Sequence, residues 1–69
     1  MGMTVANALT EAMNEHGLRN EDVASKIGVS AVQVWRYRAG RAEPNRATYD
    51  ALRRDIPGFA DRMDGRAVA

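Results

Sequence analysis

Apolar residues recur along this chain every three to four positions, and the pattern is interrupted at glycines and prolines. Behind Thr4, an N-cap type of residue, Val5, Leu9, Ala12 and Met13 fall on one helical face. Gly17 stands where a left-handed residue ends a helix, so the spacing predicts a first helix over about 5–16. Leu18 anchors the link to a second helix, from about Asn20 to Ile27, whose apolar stripe is Val23, Ala24 and Ile27. Glu21 and Asp22 suit the positive end of that helix. Gly28 breaks it, Val29 is a buried anchor, and Ser30 caps a third helix over about 31–39 with Val34 and Tyr37 inside. Gly40 ends this helix and residues 41–44 form a loop. Asn45 caps a fourth helix, about 46–55, with Tyr49, Leu52 and Ile56 at i, i+3 and i+7. After Pro57-Gly58 a short fifth helix, about 58–63, pairs Phe59 with Met63, and residues 64–69 read as a flexible tail. No stretch has a strand period, an internal repeat or low complexity. The expected fold is all-α: a compact bundle of four or five short helices in one domain over 1–63, with a helix-turn-helix at 20–39.

The informative unit is that helical pair. Counting from Asn20, the small Ala24 is fifth, where two helix backbones must approach closely, and Gly28 is ninth, at the turn. Val23, Ile27, Val29, Val34 and Tyr37 fill inward positions, which leaves Ser30, Ala31, Val32, Trp35, Arg36 and Ala39 facing out. Residues 18–30, with Val34, Gly40 and Pro44, keep the register of the phage repressor and Cro family of helix-turn-helix proteins, and with the flanking helices the chain resembles that family over about 4–56. The resemblance implies a bundle that binds operator DNA, commonly as a dimer. It implies base reading by Ala31, Val32, Trp35 and Arg36, a phosphate clamp at Asn20, and backbone contacts around Arg41, Asn45 and Arg46. Two departures stand out. Arg19 precedes the second helix where the family often has Ser or Thr, and Ala31-Val32 are apolar where polar readers are common.

Among these residues Arg36 suits bidentate contact with guanine, and Val32 suits a thymine methyl. Ser30, Gln33 and Arg38 are further candidates for the DNA backbone; Arg38 is placed on a flank. Trp35 is an outward residue of a type normally found inside. Arg53 and Arg54 read as a solvated face or a source of salt bridges. Phe59 and Met63 either cap the core or form a dimer surface.

Charge sharpens this picture. The net +1 divides into −2 over residues 1–30, +4 over 31–54 and −1 over 55–69. A basic middle between acidic ends fits a local polyanion-binding face, and nine of the ten basic residues are arginine, whose fork matches phosphate and guanine. The chain has no cysteine and one histidine, His16, which alone holds no zinc. No apolar run approaches the roughly 20 residues of a membrane span, and no signal-peptide pattern is present. No nucleophile–base pair is apparent, so neither an enzyme, a cofactor nor a small-molecule substrate is expected.

The expectation is a sequence-specific transcriptional regulator of bacterial cytoplasm, associated with the nucleoid, of phage or prophage repressor or Cro-like type. Its partners are double-stranded operator DNA and a second copy of the chain, the dimer being completed on DNA, with no membrane. The brevity of the chain leaves no room for a ligand-sensing or self-cleaving domain. Alternatives are the antitoxin of a toxin–antitoxin pair, a DNA-bending recombination accessory factor, and a helical adaptor that binds no DNA.

Overall fold

The computed structural model describes residues 3–66, and among them there are five helices and no strand. They are α1 (Val5–His16), α2 (Asn20–Ile27), α3 (Ala31–Arg38), α4 (Arg46–Asp55) and α5 (Phe59–Asp64). Side chains that start these helices do so by accepting orphan backbone N–H groups. Thr4 Oγ1 accepts from Asn7 at 3.2 Å, Ser30 Oγ from Gln33 at 3.1 Å and Asn45 Oδ1 from Thr48 at 2.8 Å. α2 lacks such a residue. Instead the Asp22 carboxylate reaches back and accepts the Arg19 backbone N–H at 2.8 Å.

The turn between α2 and α3 is residues 28–30. Gly28 sits at φ 74°, and the Gly28 and Val29 N–H groups both return to the Ala24 carbonyl, closing α2. A Cβ added at Gly28 would meet nothing within 4 Å, so the left-handed backbone alone demands glycine there.

Every helix contributes to one core. α1 supplies Ala8, Leu9, Ala12 and Met13, α2 supplies Val23 and Ala24, and α3 supplies Val34 and Tyr37. Leu52 of α4, Ile56 just after it, and Phe59 of α5 complete the cluster. Val5, Leu18, Ile27, Val29, Tyr49 and Met63 are packed around it and partly buried. Each large apolar side chain taken fully out of water stabilises by about 1.5–3 kcal/mol, and a chain this short has few of them. α3 packs on α1 and α2, whereas α5 packs on α1 and α4. The face of α3 that remains is therefore left open by the packing of the other four helices.

Three boundaries differ from the sequence expectation by one residue: the end of α3 and both ends of α5. α3 closes at Arg38 because the Ala39 N–H is the last to return four residues back, to Trp35, and the N–H of the left-handed Gly40 turns to the Tyr37 carbonyl at 3.2 Å. At the other end Asp64 is not tail but the last residue of α5. Gly65 caps it in a left-handed conformation, and Arg66 reaches back to Asp61 and Asp64 at 3.1 and 2.9 Å. The rest of the expected tail, 67–69, lies outside the described residues.

Of the two readings of Phe59, core cap or dimer surface, its burial fits the core. Phe59 has no exposed surface, and its ring meets Tyr49 edge-on with centroids 5.9 Å apart. The glycine turn before α5 folds this ring under α4, where it completes the core of a single chain. Met63 remains half-buried beside it.

Candidate functional site

The candidate site is built on α3. Its 3.6-residue repeat puts Val34 and Tyr37 in the core and presents Val32, Trp35, Arg36 and Ala39, at i, i+3, i+4 and i+7, on the opposite face. Val32 is 58% exposed and Trp35 49%, and with Met3 they are the large apolar residues most open to solvent among those described. Ala31 is exposed at the start of the same face.

Polar groups ring this face and hold one another. Arg36 Nη1 donates to Gln33 Oε1 at 3.4 Å. The Arg41 guanidinium, just beyond the helix, lies over the Trp35 ring at 5.6 Å, a cation–π distance. Arg38 is the best fixed of the three. Its Nε donates to Thr10 Oγ1 at 3.3 Å and its Nη1 to Asn20 Oδ1 at 2.7 Å, so one guanidinium ties α3 to α1 and α2. Asn20 Oδ1 thus accepts from Arg38, which leaves its amide N–H groups to donate. Between α1 and α3 lies an open groove of about 340 Å³, lined by Thr10, Trp35, Arg38 and Ala39.

The arginines divide by their partners. Of nine, six sit within ion-pair distance of a carboxylate: Arg19 with Glu21 and Asp22, Arg46 with Asp50, Arg53 with Asp64, Arg54 with Asp55, Arg62 with Glu15, and Arg66 with Asp61 and Asp64. The remaining three, Arg36, Arg38 and Arg41, have no carboxylate partner among the described residues, and all three surround the exposed face of α3. The positive charge of the middle segment is therefore compensated on α4 and left uncompensated around α3.

The structure thus brings together Val32, Trp35 and Arg36 with Gln33, Arg38, Arg41 and Asn20. Ser30 stands at the start of the face with its oxygen engaged as a cap. Asn45 and Arg46 are exposed at the start of α4, which packs on α2 and α5 and not on α3; Arg46 leans on Asp50 at 3.3 Å. Phe59 and Met63 belong to α5, which does not touch α3 either. Thr10 joins the site without having been expected there. Nothing local in the sequence marks it, because its partner Arg38 is 28 residues away.

No family model, curated protein or solved structure matches this chain. The chemistry of the face is read from its own side chains. It offers an apolar strip of helix, one outward guanidinium within it, and two more guanidiniums and an amide at its edge. Among the described residues no group of His, Asp or Glu side chains could hold a metal ion, and no helix is long and apolar enough to cross a membrane.

Proposed function

We propose that this protein binds double-stranded DNA sequence-specifically, as a transcriptional regulator of phage repressor or Cro-like kind, by laying α3 in the major groove. The observation that carries this reading is the sorting of the arginines. Of three guanidiniums without carboxylate partners, Arg36 lies within one exposed helical face and Arg38 and Arg41 border it, while the other six arginines are paired elsewhere. An α-helix fits the major groove, and uncompensated arginines on its rim meet the phosphates on either side. In this reading Arg36 reads guanine, Val32, Trp35 and Ala31 contact base edges, and Arg38 with Asn20 forms a pre-oriented clamp for phosphate. Ser30, Gln33 and Arg41 contact the backbone beside them.

An eight-residue recognition helix covers only a few base pairs. Two copies on half-sites about one helical turn apart read twice as many. The protein therefore binds as two protomers per operator, held together through a surface other than Phe59. The test is selection of duplexes from a random pool, followed by titration of the winner at rising salt. Saturation at two protomers is expected, with affinity falling at a slope of about −0.9 per phosphate neutralised. A pool that yields no preferred duplex, or an affinity indifferent to salt, refutes the reading.

A further inference from the structure

We infer that the exposed face of α3 reads the 5-methyl groups of pyrimidines, so that the contacted base pairs are T-rich and 5-methylcytosine substitutes for thymine there. The inference rests on the DNA-binding reading above and concerns what that face recognises.

A helix in the major groove discriminates base pairs through hydrogen bonds or through apolar contact, and the apolar feature of the base edges is the thymine 5-methyl group. The centre of this face offers little for the first mode. Its exposed residues Ala31, Val32 and Ala39 carry no polar side-chain atom, and Trp35 contributes mostly ring surface. Arg36, bonded to Gln33, is the one hydrogen-bonding group within the face and is left to read guanine; the others stand to the sides and are held there, Arg38 by Thr10 and Asn20 and Arg41 over the Trp35 ring. Polar rim and apolar centre match a groove whose walls are phosphates and whose floor carries methyl groups.

The free protein also leaves this apolar surface in water. Val32 and Trp35 are each about half exposed, three residues apart on the same face. Covering them with a partner recovers the burial they lack, and the three guanidiniums without carboxylates around them require that partner to be anionic at its edges. Duplex DNA with methylated pyrimidines satisfies both demands. An acidic protein segment with apolar residues is the competing occupant, and the test separates it.

The experiment starts from the duplex selected by the unmodified protein. Each thymine is replaced by deoxyuridine, which keeps the O4 acceptor and removes only the methyl. Separately, each T·A pair is replaced by C·G and by 5-methyl-C·G. Affinity is expected to fall about fourfold for each contacted methyl withdrawn, and 5-methyl-C·G to bind about fourfold tighter than C·G at the same position. Val32→Ala and Trp35→Ala, both at exposed positions, should each erase the preference for thymine over deoxyuridine at one base pair. Equal binding of the thymine and deoxyuridine duplexes overturns this inference and leaves DNA binding intact. Selection that yields no duplex overturns both, and points to the acidic protein segment.

Discussion

The two ends of this small bundle use arginine in opposite ways. Where α5 meets α1 and α4, each arginine has a carboxylate within reach. Arg62 is 9% exposed and bonds Glu15 at 3.0 Å and the Gly58 carbonyl at 3.3 Å, and Arg53 grips Asp64 through two 2.9 Å bonds. Around α3 the guanidiniums meet only neutral partners: an amide, a hydroxyl and an aromatic ring. The apolar residues divide in the same sense, with Phe59 wholly buried and Val32 and Trp35 open. Residue type therefore does not tell a structural arginine from one available to a ligand. Burial together with a carboxylate partner does, as at Arg62, whereas a largely exposed pair such as Arg46–Asp50 holds little.

Substitutions at the two ends should part company, and the largest effect is expected at Phe59. Phe59→Ala should cost about 3–5 kcal/mol in urea unfolding, since it opens a cavity in a thin core. A loss confined to assembly, with monomer stability intact, would return Phe59 to a subunit interface. Arg62→Met comes next, at roughly 1–3 kcal/mol. It removes the two ion pairs that fasten α5 to Glu11 and Glu15 of α1, and these half-exposed carboxylates are partly rehydrated. Unchanged stability in Arg62→Met would show that apolar packing alone holds α5.

At the other end Arg36→Ala should leave stability within about 0.5 kcal/mol while weakening binding to a selected duplex by roughly 1–3 kcal/mol and to random DNA far less. Equal losses on both would reduce Arg36 to a phosphate contact. The smallest effect is expected from acid. Asp22 is held below the ordinary aspartate value by the Arg19 backbone N–H and then its side chain; Asp55 and Asp64 are held low by hydrogen bonds from Arg54 and Arg53. Carboxylates with depressed folded values bind protons more readily when unfolded. Their contribution is full above the unfolded aspartate value of about 3.9 and is lost as pH falls through the lower folded values. Melting followed from pH 6 down to pH 2 should show this decline, and it should shrink in Asp64→Asn. Only Asp64 of the three lies on α5, so Asp64→Asn isolates the share of the decline that belongs to that end.

Much of this was legible in the chain. The helices, their caps at Thr4, Ser30 and Asn45, and the turn at Gly28 follow from local spacing, because backbone groups at a helix end are satisfied by residues three positions away. The outward register of α3 follows from the same periodicity, since the apolar Val34 and Tyr37 fix which face is buried. Less legible was the fate of residues that a local rule left with two readings. Phe59 suited a core or a surface equally well until α4 was folded over it.

The sequence by itself determined the helices, the position of the turn and the net positive charge of the middle segment, all of which depend on neighbours within a few residues. Of those charges, Arg46 and Arg54 find carboxylates within four residues, and tertiary structure decided the pairing of the rest. Arg53 finds Asp64 eleven residues away and Arg62 finds Glu15 forty-seven away, and Arg38 is bonded by Thr10 and Asn20 from two other helices. Ion pairs and hydrogen bonds act over a few ångströms of space and are indifferent to separation along the chain. The packing of α5 on α1 and α4, and of α3 on α1 and α2, sets Arg53 and Arg62 beside carboxylates and leaves Arg38 beside neutral groups.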